Sequence, residues 1–194
     1  MKRIAVFASG TGSNFKAIHQ NIIHGLIPAE LACFVCDHPD AQSAHYARDH
    51  QIDSFIFEPS TYKHKNDYEL EILAYLKSHQ VDLIVLAGYM RIIGQTLLHA
   101  YPNQIINIHP SLLPLYRGKD AIKRAWDHHE VKTGVTIHYV DEAVDHGKII
   151  MQEELVINHA SIDVLTEAIH LIEHRLYTQA ICLLLEDTYE KSSH

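Results

Sequence analysis

Asn107 and His109 lie two residues apart in the segment INIHPSLLP, residues 106–114. The run that carries them, QIINIHP, is short and apolar, and on a strand residues two apart share a face. Pro110 then withdraws a backbone donor, and Ser111 and Pro114 lead the chain into a loop. A strand end that presents an amide and an imidazole side by side suits stabilisation of a developing oxyanion. A carboxylate brought against the imidazole would favour imidazolium and orient the ring. A carboxylate such as Asp145 could come from a polar turn of Asp141, Glu142, Asp145, His146 and Gly147 between two apolar runs. No serine, cysteine or lysine nucleophile is required. The chemistry this set suits is direct acyl transfer to an incoming amine. Taken alone, the same residues also read as a capped strand end and a solvated hairpin turn.

Two further stretches carry chemistry. In ASGTGSNF, Gly12, Ser13 and Asn14 would offer backbone N–H groups at a helix N-terminus, which attracts a phosphate. The plainer reading is a helix start capped by Ser13. A dinucleotide site is the other alternative, with Asp37 ending the second strand where a ribose-binding acid would sit. Phe15 occupies the third position of G-x-G-x-x-G, which favours a monophosphate cradle. In VLAGYMRIIG, Gly88 permits close approach and Met90, Ile92 and Ile93 form an adaptable apolar wall, with Arg91 able to reach an acid. That run equally describes core residues plus one surface arginine.

These residues need a frame, and the chain supplies an alternation. RIAVFAS, LACFVCD, SFIFE, DLIVLAG and QIINIHP read as strands of the kind buried on both faces of a parallel sheet. Helical stretches fall between them, at 14–24, 41–50, 67–80 (with Leu70, Leu73, Ala74 and Leu76 as its apolar positions) and QTLLHAY. From about residue 120 the rhythm changes to a helix (to about 129), two later strands in GVTIHYVDE and KIIMQEELVI, and a long helix over about 163–185. Leu165, Ile169, Ile172, Leu176, Ala180 and Leu183 form the stripe of that helix, and the polar tail EDTYEKSSH is expected to fray. The class is α/β: an open, mostly parallel twisted sheet with helices on both faces, Rossmann-like. Residues 1–194 form a single domain, an N-terminal half for a nucleotide phosphate and a C-terminal half for catalysis. Ligands should bind beyond the carboxyl ends of the strands.

Composition narrows the classes. Apolar residues make up 47% and charged residues 21% of the 194, as in ordinary globular proteins. A formal charge of −8 argues against a nucleic-acid surface. No run approaches the ~20 apolar residues of a membrane span. The stretch between Arg3 and Gly10 is too short for the apolar region of an export signal, so a cytoplasmic protein is expected. Cys33 and Cys36 have metal-like spacing, but on a strand they face opposite sides and no second pair completes a site. Core thiols and no metal are expected. Most of the 17 histidines lie in polar stretches and are read as surface residues.

Together, FASGTGSNFKAI, DLIVLAGYMRII, INIHPSLLP followed by GKDAI, and TGVTIHYVDEAVDHGKIIMQ resemble the folate-dependent formyltransferases over nearly the whole chain. The resemblance is nearest to the branch that formylates 5-phosphoribosylglycinamide in de novo purine biosynthesis. It implies 10-formyltetrahydrofolate as co-substrate, no metal, no nucleic-acid or membrane partner, and a monomer or homodimer. It implies Asn107, His109 and Asp145 as the catalytic trio, and Gly12, Ser13 and Asn14 as holders of the substrate phosphate. Glu173 matches a position that contacts the glycinamide substrate. Met90, Arg91, Ile92 and Ile93 would line the folate pocket, with Asn107, the turn from Asp141 to Asp145, and Lys65 also on the folate side. Three positions depart from the pattern. Lys65 stands where many relatives carry arginine and lacks the bidentate fork. Arg117 stands where many purine-pathway members carry proline, and resembles the branch acting on methionyl-tRNA. His146 precedes Gly147 where a small residue is common. A nucleotide-binding module without catalysis is the alternative from another class; it would bind nucleotide but no folate.

Overall fold

Strand β1, Lys2–Phe7, explains the architecture. Ile4 and Val6 join one apolar core and Ala5 and Phe7 another, all four with no exposed surface. A strand buried on both faces must lie inside a sheet covered by helices on both sides. The computed structural model describes residues 1–158 and 160–191. Its other strands are β2 (Ala29–Cys36), β3 (Ser54–Ile56), β4 (Leu83–Leu86), β5 (Ile105–His109), β6 (Lys132–Tyr139) and β7 (Ile149–Val156). They form one sheet in the order β3-β2-β1-β4-β5-β6-β7. Pairs among β1 to β5 are parallel, whereas β5 with β6 and β6 with β7 are antiparallel.

Helices α1 (Ser13–Ile23), α2 (Gln42–Asp49) and α6 (Ile162–Lys191) cover one face. Helices α3 (Lys65–Ser78) and α4 (Gln95–Ala100) cover the other. The short α5 (Ala121–Asp127) lies beside α6. Cys33 and Cys36 fall into opposite cores as free, buried thiols, and burial pushes Cys33 up to about 12. Among the described residues, no helix is long and apolar enough to cross a membrane.

Two helices present faces other than those expected. On α3, Leu70 is 51% exposed and Ala74 is exposed too, while Tyr68, Ile72 and Leu76 are buried. The row through Leu70 and Ala74 runs on to Lys77. The row 68-72-76 buries an aromatic ring and two branched chains, so that row turns inward. On α6, Leu183 is 42% exposed, and Tyr177, Ile181 and Leu185 complete the buried face. The helix also runs on through Lys191, beyond the expected end; Ser192 to His194 of the polar tail lie outside the described residues. Every fourth residue of α6 from Leu165 to Leu185 is buried, and Glu173 sits in that apolar row.

The sheet changes direction between β1 and β4, since β2 lies beyond β1 and β5 beyond β4. Chains leaving two such strands diverge and open a crevice at their carboxyl ends. Here the crevice is bordered by the loop after β1, and Ser9 N–H bonds the Gly88 carbonyl across it at 3.1 Å.

Candidate active site

The Gly-rich loop begins at this crevice. Gly12 takes a left-handed φ of 70°, and a Cβ there would lie 2.7 Å from Ser43 Cβ, so the position needs glycine. Gly12, not Ser13, is the N-cap of α1, and no side chain caps that helix end. The first-turn N–H groups therefore remain available to an anion. Phe15 is fully buried and stacks on Phe34 at 4.2 Å, filling the space that close helix–strand packing would need.

Behind the loop, Asn14 Nδ2 donates to Glu173 Oε2 at 2.9 Å, and both residues are buried. Burial raises the Glu173 pKa, opposed by the Asn14 amide and the nearby His170. Asn14 Oδ1 is buried without a partner. Asp37 is also occupied: it accepts Ser9 Oγ at 2.5 Å and pairs with Arg91 Nε at 2.8 Å. An acid engaged by an arginine anchors the loop after β4 and is not free for a ribose.

At the end of β5, Asn107 and His109 indeed share a face, and the turn after β6 brings Asp145 onto it. His109 Nδ1 lies 3.3 Å from Asp145 Oδ2, with both side chains under 10% exposed. Asn107 Nδ2 lies 3.5 Å from Asp145 Oδ1. His109 Nε2 faces the Tyr116 carbonyl at 2.8 Å. Burial lowers the His109 pKa, with the Tyr116 carbonyl and Asp145 opposing it. Burial acts upward on Asp145, yet bonds from His138 and the Gly118 N–H, with His109 close by, hold its carboxyl below the usual range.

One cleft of ≈ 700 Å³ joins these parts. Gly12, Ser13, Asn14 and Glu173 line one end, and Asn107, His109 and Asp145 line its floor. Met90, Arg91, Ile92, Ile93 and Asp141 line the remaining wall. Met90 and Ile92 are exposed at its mouth, while Ile93 is buried. Lys65 is not among the lining residues; its Nζ lies 3.6 Å from Glu69 Oε1, one turn along α3. No group of three or more histidine, cysteine or acidic residues among the described residues could hold a metal ion.

Residues 2–181 match the family model described as Formyl transferase. The chain belongs to the formyl transferase family. It is 46% identical over 186 residues to the phosphoribosylglycinamide formyltransferase of Bacillus subtilis, covering 95% of each chain. It is 39% identical over 157 residues to the enzyme of that name from Haemophilus influenzae, covering 81% of this chain and 74% of the relative. The crystal structure of glycinamide ribonucleotide transformylase 1 from Geobacillus kaustophilus superposes with a TM-score of 0.92 at 48% identity, covering 95% of this chain and 99% of that one.

The cleft also contains a residue that sequence reasoning passed over. His138 on β6 pairs in register with Asn107. Its Nε2 lies 3.3 Å from Asn107 Nδ2 and 3.5 Å from Asp145 Oδ1, and its Nδ1 lies 2.8 Å from the Tyr139 carbonyl. Among the described histidines only His138 and His109 are buried. The available signal was its phase: His138 and Thr136 alternate with apolar residues, so both point to one face. Thr136 is buried too. Its hydroxyl donates to the Ser111 carbonyl at 2.7 Å and accepts the Leu113 N–H at 3.2 Å, holding the chain just past His109.

His146 is exposed, whereas Gly147 behind it is buried. A Cβ on Gly147 would lie 1.7 Å from the Tyr139 carbonyl oxygen. Gly147→Ala must therefore move the turn that carries Asp145. It should destabilise the formyltransferase by about 2 kcal/mol or more and depress kcat. Urea unfolding and steady-state assays on the same preparation would check both effects; an unchanged midpoint would show that the turn yields freely.

Proposed function

We propose that this formyltransferase moves the formyl group of 10-formyltetrahydrofolate to the glycine amine of 5-phosphoribosylglycinamide, a step of purine biosynthesis. The observation that carries the reading is a single cleft with an uncapped helix N-terminus at one end and the Asn107, His109 and Asp145 group on its floor. The names borne by its relatives agree with it. A dianionic phosphate suits the N–H groups at Gly12, Ser13 and Asn14, and Glu173 lies ready for the cationic or polar part of the same substrate. The apolar wall of Met90, Ile92 and Ile93 suits a flat heterocycle such as the pterin.

The mechanism follows from what each group can donate. The glycine amine attacks the formyl carbon, and negative charge develops on the formyl oxygen. Asn107 supplies amide N–H to that oxygen, and His109 supplies a ring N–H once the Tyr116 carbonyl yields its place at Nε2. Asp145 keeps the ring oriented and favours its protonated form. Because burial sets the imidazole below the usual histidine range, the developing oxyanion adds the remaining stabilisation of imidazolium. The amine then loses a proton, N10 of the departing folate gains one, and the C–N10 bond breaks. No covalent enzyme intermediate is required.

Assays with 10-formyltetrahydrofolate and either 5-phosphoribosylglycinamide or methionyl-tRNA test the reading. Efficient use of the ribonucleotide and none of the tRNA is expected. Titration calorimetry with each small substrate separately distinguishes a simple nucleotide module, which would bind no folate.

Asp145→Asn tests the carboxylate. Asp145 raises the pKa of His109 against the larger lowering by burial, so removing its charge should lower that pKa further. The imidazolium would then be lost at a lower pH, and the activity that depends on it would fall off earlier as pH rises. NMR titration of the labelled imidazole should show the downward move; an unchanged midpoint would separate Asp145 from His109.

A further inference from the structure

Asp145 has a φ of 56°, in the left-handed region that few residues other than glycine occupy. A carboxylate on such a turn needs something to hold its direction. Two neighbouring residues of the loop after β5 do so from opposite ends. Arg117 Nε donates to the Asp145 carbonyl oxygen at 2.9 Å, and Gly118 N–H donates to Asp145 Oδ2 at 2.8 Å. The loop is itself tied down from α5, where Arg124 donates to the Arg117 carbonyl at 2.7 Å. Arg117 is partly buried rather than splayed into solvent.

We propose that Arg117 is a positioning residue for formyl transfer, its guanidinium holding the Asp145 backbone while the adjacent Gly118 amide holds the carboxylate, so that Oδ2 stays aimed at His109. The proposal rests on the function given above. It also assigns a role to a residue that had resembled a marker of the tRNA-formylating branch: its Nε–H is spent inside the protein. The contact is a main-chain one and carries directional information, because a planar guanidinium fixes the carbonyl that it binds. Asp145 Oδ2 would otherwise be free to swing toward His138, which already faces Oδ1 at 3.5 Å. The titratable and charged groups that face His109 are Asp145, His138 and Arg124, and Arg117 acts through the first of them.

Arg117→Met keeps the length of the side chain and removes the donor, and Arg117→Lys restores a donor without the planar fork. For Arg117→Met, kcat should fall roughly tenfold, the scale of a small misplacement near the chemistry. KM for each substrate should stay within about twofold, since no substrate contact is removed. The His109 NMR midpoint should move down, and Arg117→Lys should recover part of both effects. An unmoved His109 midpoint, or a loss confined to KM, would overturn the proposal. If Arg117→Met fails to fold, Arg117→Lys and Arg117→Gln give the same two readouts. The titration uses no substrate. A moved midpoint in a protein that fails to formylate the ribonucleotide would uphold the positioning role and defeat the functional reading instead.

Discussion

Replacing His109 with alanine is expected to lower kcat by about 10² or more, the cost of losing an oxyanion donor. The argument rests on where the ring sits. It is 5% exposed, and Asp145 at Nδ1 is the carboxylate that can sustain its positive charge. Alanine removes the donor and leaves a small cavity, while Asp145 keeps its bonds from Gly118 and His138. The fold should therefore survive the change better than the chemistry does. Folate affinity should change much less, because the apolar wall and the Asp141 turn are untouched. Steady-state kinetics with calorimetry of folate binding separates the two, and a near-native kcat would remove His109 from the mechanism. Asn107→Ala should lower kcat similarly, with some loss of folate binding.

Asn14→Asp is expected to raise KM for 5-phosphoribosylglycinamide at least tenfold, about 1.4 kcal/mol of binding, with folate binding nearly unchanged. Repulsion of the phosphate by a carboxylate at the helix N-terminus is one cause. The contact with Glu173 adds another. The Asn14 amide donates to Glu173 Oε2 at 2.9 Å, so the variant sets two buried carboxyl groups against each other. Such a pair binds an extra proton and titrates as a unit. The penalty on the dianion should therefore grow as pH rises and the shared proton is lost, and thermal stability should drop as well. Asn14→Ala removes the amide without adding charge and should raise KM less than the aspartate does. Equal effects of the two variants would show that charge at this position is irrelevant, and indifference of KM to both would remove the phosphate from the loop.

The alternation of apolar runs with helical stretches was legible because each period is a property of one element. β1, β4 and β5 carry the near-continuous burial that parallel strands need, and the Gly-rich turn and INIHP stand at their carboxyl ends. Asn107 and His109 shared a face by strand period alone, and Cys33 and Cys36 parted by the same rule. The stripes of α3 and α6 were less legible, since apolar residues occupied two competing rows. Which row turned inward depended on what the sheet offered it, and at α3 the Tyr68 ring meets Phe57 at 5.0 Å.

Likeness of motifs pointed to Glu173 and singled out Asp145 within its acidic turn, and the structure gives each a physical setting. Glu173 lies in the buried row of α6, where a carboxyl is costly unless it is bonded, and Asn14 bonds it across 159 positions of sequence. His138 could not be told from a strand histidine facing solvent until β6 paired with β5 and set it opposite Asn107. Asp37 ends the second strand where a ribose-binding acid would sit, but Arg91 pairs with it at 2.8 Å, and Lys65 lies with Glu69 on its own helix and is not among the residues lining the cleft. The order of elements and the residues standing at strand ends follow from local periodicity and turn chemistry, which each short stretch of the chain already contains. The tertiary structure decided which of those residues meet, because strand register and the left-handed turn at Asp145 bring together groups that no short window of sequence contains.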